Sequence, residues 1–196
     1  MAKISQAQKD IIIRLATDLF SPHNASSLGK SIGITRVGAF KALKSLEAEG
    51  LVKGQQMGKS RFYSLNLKEE YAKKHTELIL LERARDYKRW IDEFMPLYDY
   101  IDLAILFGSV TKDEAKANDI DLLLVYKEKN NAKINSIISE KNQVLTRKIH
   151  LVKQTEEDFK ANIMKKDKII LGIFSNGIIL HGINKFLEDI ANVTDR

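Results

Sequence analysis

The sequence predicts an α+β chain in modules: N-terminal helices closing in a basic β-hairpin, a long connector helix, and a C-terminal α/β sheet with flanking helices. Two observations lead there. Apolar residues recur at helical spacing through most of the first fifty positions and again over residues 68–97, then fall into short strand-length runs alternating with helices from Ile101 onward. Charge is segregated as well. Residues 1–67 carry ten Lys/Arg against four Asp/Glu, whereas residues 68–196 carry 22 of each sign, so the whole formal excess of +6 lies in the first third. A basic module facing a polyanion and a neutral module with a different task fit that split.

The 196 residues, 44% hydrophobic and 30% charged, suffice for two small folded domains and have the balance of a globular protein. Cysteine is absent, which excludes disulfide scaffolds, thiolate zinc sites, Fe–S clusters and thiol catalysis. No apolar run approaches the ~18–20 residues that span a bilayer. The opening MAKISQAQKD has no signal-peptide core, so cytoplasmic residence without membrane contact is the expectation.

Along the chain, Ile11, Ile12, Ile13, Leu15, Leu19 and Phe20 mark a first helix over 6–20, stopped by Ser21-Pro22-His23-Asn24. Ser26 or Ser27 is placed to cap a second helix reaching Ile32. Gly33 breaks it, and Thr35 reads as the N-cap of a third helix, 36–49, with Gly50 at its C′ position. Short strands at 51–53 and 61–65 flank a polar, basic, glycine-bearing tip. Residues 68–97 form a stripe of Tyr71, Leu78, Leu81, Ala84, Tyr87, Ile91 and Phe94, a helix roughly 40 Å long. It can pack on its own modules or pair with a second copy. Strands are then expected at 101–107, 120–126, 147–152 and 178–181. Helices are expected at 131–144, 156–164 and 183–190, with an apolar run at 169–174. The domains read as 1–67, connector 68–97, and 98–196.

The stretch SSLGKSIGITRVGAFKALKSLEAEGLVKGQQMGKSRFYSLN resembles the winged helix-turn-helix of ArsR- and MarR-type regulators over roughly 5–67. Leu28, Gly33-Ile34-Thr35, Leu43, Leu46, the Glu-Gly-Leu-Val at 49–52 and the Arg-Phe-Tyr-Ser-Leu strand carry it. The resemblance implies DNA as partner, RNA second, with the third helix in the major groove. Thr35, Arg36, Gly38 and Lys41, with Ser45 beside them, would face outward from that helix, and Lys59 and Arg61 from the wing. Small residues at Gly38, Ala39 and Ala42 suit close approach to a groove. Paired modules on a palindrome imply a homodimer.

The segment ILFGSVTKDEAKANDIDLLLV holds the sharpest pattern. Asp119 and Asp121, two apart on a strand, project to one face and can share a hard divalent cation. Gly108 lets the backbone approach a phosphate, and the Ser109 hydroxyl can donate to one. Phe107-Gly108-Ser109 followed by Asp119-Ile120-Asp121 resembles the nucleotidyltransferase superfamily that includes DNA polymerase beta, its minimal branch above all, over about residues 98–182. IFSNGIILHG is similar to that family's closing strand.

This resemblance implies transfer of a nucleoside monophosphate from an NTP, ATP foremost, to a hydroxyl. Asp119 and Asp121 would bind two Mg2+ ions, and Gly108 and Ser109 the triphosphate. The spacer lacks the usual glycine, with Asp113 or Glu114 in its place. The family's third carboxylate is replaced by His150 in Lys148-Ile149-His150-Leu151-Val152, a base or nitrogen ligand lacking the negative charge. Glu156, Glu157 or Asp158 could substitute from beyond the strand. Two functions stay open: a Mg2+-dependent nucleotidyltransferase carrying a DNA-binding module, and a transcriptional regulator whose C-terminal domain senses nucleotide or is inactive. A small helical protein partner is a further implication of the resemblance.

Overall fold

Helix starts and stops in the N-terminal half are set by side chains that take up orphan backbone groups. In the computed structural model, which describes residues 4–194, α1 spans Gln6–Thr17 and is closed by a capping box between Ser5 and Gln8. Helix α2, Ala25–Ile32, is capped by Asn24, not by Ser26 or Ser27. The Asn24 side-chain oxygen Oδ1 accepts from the backbone amides of both serines at 2.9 Å, and the Ser27 hydroxyl accepts from the Asn24 backbone amide. Asparagine lies one residue before the first helical position and offers an acceptor already aimed at the N2 and N3 amides. Helix α3, Arg36–Ala48, starts as expected with Thr35 accepting from the Gly38 amide at 3.1 Å. Gly33 and Gly50 both take positive φ behind α2 and α3.

The wing consists of β1, Val52–Met57, and β2, Ser60–Leu65. Both strands run further toward the tip than the sequence suggests, leaving Gly58-Lys59 as the turn. A bridge from Asn24 to Phe62 and a bond from the Tyr63 amide to the His23 carbonyl (2.8 Å) fasten β2 to the residues before α2. Ile11, Ile12, Leu28, Leu43, Leu46, Leu51 and Tyr63 form the core. Three helices and a fastened hairpin make this a winged helix-turn-helix.

Helix α4 spans Glu70–Arg85 and α5 Lys88–Phe94, so the connector is helical but interrupted at Asp86-Tyr87. The break turns Trp90 and Phe94 into the core of the sheet that follows. On α4 the buried positions are Ala72, Thr76, Ile79, Leu80 and Ala84, while Tyr71, Leu78 and Leu81 of the expected stripe are exposed. The packed face is shifted from the one traced by the large apolar residues. Compact packing divides the chain once, between Leu80 and Leu81.

The C-terminal unit holds β3 (Ile101–Phe107), β4 (Asp119–Tyr126), α6 (Asn131–Val144), β5 (Lys148–Thr155), α7 (Glu156–Met164), α8 (Lys168–Asn176), β6 (Ile178–His181) and α9 (Ile183–Thr194). The sheet order is β5-β4-β3-β6, with β4 and β5 parallel and the other pairs antiparallel. Helix α6 supplies the crossover that a parallel pair needs. One face carries Trp90, Phe94, Ile134 and Ile138 against Leu106, Leu122 and Leu124. On the other face α7, α8 and α9 pack on β3 and β4, with Phe174 edge-on to both Phe159 and Phe186. Residues 173–176 of the expected closing strand belong to α8, which leaves β6 four residues long. Among the described residues no helix is long and apolar enough to cross a membrane.

Candidate functional site

Strand β4 is buried on both faces along most of its length, but its first three residues read half-buried Asp119, buried Ile120 and half-buried Asp121. Strand alternation sends Ile120 into the α5/α6 core and both aspartates to the opposite face. The parallel register sets His150 of β5 opposite Asp121 and Lys148 opposite Asp119. The His150 Nδ1 stands 3.2 Å from Asp119 Oδ2 and 3.7 Å from Asp121 Oδ1. One donor atom from each of the three residues lies within 4.8 Å of the others, a spacing that fits a single divalent cation.

Gly108 follows β3 beside this cluster, where Phe107 pairs with Asp121. Its φ of 79° and ψ of −151° fall in a region essentially reserved for glycine. A Cβ there would lie 2.0 Å from Asp121 Oδ2 and 3.0 Å from Asp121 Cγ. The missing side chain therefore makes room for the carboxylate itself, besides leaving backbone open to a ligand. Burial, reinforced by the neighbouring Asp119 charge, raises the Asp121 carboxyl above its ordinary pKa, while His150 opposes the rise. Ser109 is exposed at the start of a short 3-10 turn, and Thr111 Oγ1 donates to the Gly108 carbonyl at 3.0 Å.

The spacer over 109–118 forms two 3-10 turns and needs no glycine, because none of its residues adopts positive φ. It is tied down by the Tyr87 hydroxyl donating to the Thr111 carbonyl (3.0 Å), by an Arg89–Glu114 ion pair, and by Arg147 donating to the Ala115 carbonyl (3.4 Å). Glu156, Glu157 and Asp158 do not complete the cluster. They lie past the far end of β5, about 20 Å along the chain from His150 at strand rise. Glu156 is engaged with Lys160 at 2.7 Å and Lys185 at 2.9 Å, and that pairing drops its carboxyl to a pKa of about 2. Sequence reasoning missed Lys148. It is an exposed cation on the aspartate face, and its even spacing from His150 was the available signal.

In the N-terminal unit, Thr35, Arg36 and Lys41 are exposed on α3, Lys59 and Arg61 on the wing, and Gly38 is half-buried. A cleft of about 740 Å³ between α3 and the wing is lined by Asn24, Arg36, Val37, Phe40, Lys59 and Arg61, among others. Val37 and Phe40 are 63% and 49% exposed, so this surface is more apolar than its charge pattern implies. Two expectations are revised. Ala39 is fully buried, on the inner face with Leu43 and Leu46. Ser45 faces α1, where its hydroxyl accepts from Gln8 Nε2 at 3.1 Å. Arg61 is held by Glu47 at 2.5 Å, and Gly54 leaves room for that pair to cross the strand.

Compared with known proteins, residues 90–173 match the family described as polymerase beta, nucleotidyltransferase, a little under half of the chain. A search of curated proteins gives no match. Among solved structures, the adhesin competence repressor AdcR of Streptococcus pyogenes is 23% identical over 47% of this chain and 69% of its own, at a TM-score of 0.35. A mutant of Lactococcus lactis ZitR is 16% identical over 74% and 77% of the respective chains, also at 0.35.

Proposed function

We propose that this chain is a divalent-metal-dependent nucleotidyltransferase whose winged helix holds it on DNA. The observation that carries the reading is the head of the sheet: Asp119, Asp121 and His150 converge within donor reach of one another, and Gly108 abuts them with open backbone. The match of residues 90–173 to a nucleotidyltransferase family supports it.

Asp119 and Asp121 would hold the cation, Mg2+ in the family's usual chemistry, which when bound neutralises phosphate charge and orients the α-phosphoryl group. The exposed Ser109 hydroxyl and the backbone at Gly108 receive the triphosphate, with the Lys148 ammonium on the same face as a further phosphate partner. An acceptor hydroxyl forms a bond to the α-phosphorus as the bond to the pyrophosphate oxygen breaks. The hydroxyl proton leaves to the solvent that reaches this half-open cluster.

On the N-terminal unit, Arg36 and Lys41 of α3 and Lys59 of the wing supply cations that gain from counterion release. Arg61 contributes through its wing position rather than as a free charge. Two copies on a palindromic site would follow the usual winged-helix arrangement.

A second reading has its own observation in its favour. An imidazole occupies the position where a third carboxylate is expected, and no other described carboxylate joins the cluster. In that reading the domain binds nucleotide without turnover and regulates DNA binding.

Calorimetry with each of the four NTPs, with and without divalent metal, tests the shared premise on wild type and on the Asp119→Asn/Asp121→Asn double variant. Metal-dependent binding that the double variant loses is expected. No binding at millimolar nucleotide to folded wild type refutes both readings. Labelled-nucleotide transfer to an acceptor then selects the enzyme. DNA affinity that changes with metal–NTP, without transfer, selects the sensor.

A further inference from the structure

We propose that Asp119, Asp121 and His150 bind one divalent ion of the nitrogen-accepting class, Mn2+, Co2+ or Zn2+, with imidazole Nδ1 as a direct ligand, in place of two Mg2+ ions. The inference refines the metal site of the proposed function and rests on that reading for its biological role, not for its chemistry.

Distances come first. Donor atoms around an ion at ~2.0–2.2 Å sit about 3.0–3.5 Å from one another in octahedral or tetrahedral arrangements. The His150 Nδ1 separations of 3.2 and 3.7 Å from the two carboxylates already approach that spacing, so side-chain adjustment alone completes the site. The cause lies in the backbone. The parallel β4/β5 register puts His150 directly across from Asp121, and Gly108 holds Asp121 from the other side.

Charge comes second. Two carboxylates balance one divalent ion. A third carboxylate would help retain a second ion, and a neutral imidazole does not. Donor type comes third. Mg2+ takes oxygen ligands and dehydrates reluctantly, whereas imidazole nitrogen suits the later first-row ions. Replacing oxygen by nitrogen at one corner therefore moves preference away from Mg2+ while keeping the site itself.

The test uses the full chain without nucleotide. Co2+ binding is followed by its visible absorption, Mn2+ stoichiometry by the loss of free-ion electron paramagnetic resonance signal, and Mg2+ by competition against Mn2+. Any oxygen-rich site favours Co2+ over Mg2+ to some degree, so the deciding quantity is the change on removing the imidazole. One ion per chain is expected. His150→Ala should weaken Co2+ at least ~10-fold and shift its absorption, with Mg2+ affinity changed less than about threefold. His150→Asp should move the ratio toward Mg2+ and allow a second ion. His150→Gln, which keeps a polar side chain of similar size, should behave like the alanine variant, and circular dichroism checks that all three fold.

Co2+ and Mg2+ affinities that fall together, an unchanged Co2+ spectrum, or two ions in wild type would overturn the assignment. The two proposals fail separately. One Co2+ ligated through His150 with no NTP binding keeps this site and ends the nucleotidyltransferase reading. Mg–NTP binding, together with a Co2+ affinity and spectrum indifferent to His150→Ala, keeps that reading and ends this one.

Discussion

Gly108→Ala is the perturbation that most directly probes how the cluster is held. The substitution acts twice. Its φ of 79° with ψ of −151° costs an alanine about 1–3 kcal/mol, because that region is sterically closed to a Cβ. The new methyl would also stand 2.0 Å from Asp121 Oδ2 and 3.2 Å from Asp121 Cβ. Turning the carboxylate about χ2 moves the oxygen but leaves Cγ at 3.0 Å, so full relief takes rotation about χ1 as well. That rotation carries the carboxylate away from His150 and Asp119. Melting of the C-terminal unit should fall by roughly 3–10 °C, and Co2+ or Mn2+ affinity by ~10-fold or more, approaching the loss in Asp121→Asn. Gly172→Ala is the control. This glycine is exposed on helix α8 with nothing within 4 Å of a built Cβ, so alanine there should stabilise by about 0.5–1 kcal/mol. Differential scanning calorimetry and metal titration read both variants. A Gly108→Ala protein that melts like wild type and binds metal equally well would refute the claim that Gly108 positions Asp121.

Asn24→Ala should cost about 1 kcal/mol in urea unfolding, since it strands two amides of α2, whereas Ser26→Ala should stay within about 0.5 kcal/mol; equal effects would contradict the cap assignment. Glu156 has a folded pKa of about 2 against an ordinary 4.5, so its ion pairs stabilise fully above pH 4.5, and that contribution is lost as pH falls toward 2. After allowance for a side chain 30% exposed, Glu156→Gln should cost roughly 1–2 kcal/mol at pH 7, with the gap to wild type closing between pH 4.5 and 2; a constant gap in acid melts would exclude the mechanism. If the winged helix contacts DNA phosphates through Arg36, Arg36→Ala should lower the slope of log affinity against log salt by about 0.9 per lost contact, and an unchanged slope would remove Arg36 from the phosphate contacts.

Local punctuation was the most legible part of the fold. Thr35, Gly33 and Gly50 sit where their conformational preferences placed them, because each acts on its immediate neighbours. Errors arose where two local signals competed or where the third dimension decided. Asn24 has the sequence context of a stopping turn after α1, and in the structure it caps α2. The connector pattern follows Tyr71, Leu78 and Leu81, yet the packed face holds Ala72, Thr76, Ile79 and Leu80, because which face of a helix is buried depends on the neighbours it meets as well as on its own apolar residues. The run Ile169–Phe174 is apolar enough for a buried strand or a buried helix, and periodicity alone does not separate the two. Asp167 decides for helix by accepting from the amides of Ile169 and Ile170 at 3.0 Å.

The aspartate pair was legible because two residues of one strand share a face whatever the rest of the chain does. The third corner depends on a different quantity, the register between β4 and β5. A shift of one residue would set Ile149 beside Asp121 and send His150 to the opposite face. What fixes the register is hydrophobic burial. Ile149 is buried with Ile120, Ile134 and Ile138 in the core between the sheet and α6, and this forces residues 148 and 150 onto the aspartate face. The same constraint delivers Lys148 beside Asp119. The apolar positions that hold the sheet together thus decide which polar residues meet at its head. The chemistry of this site accordingly follows from Ile149 as well as from the donors, because a polar residue there would loosen the register that keeps an imidazole within reach of two carboxylates.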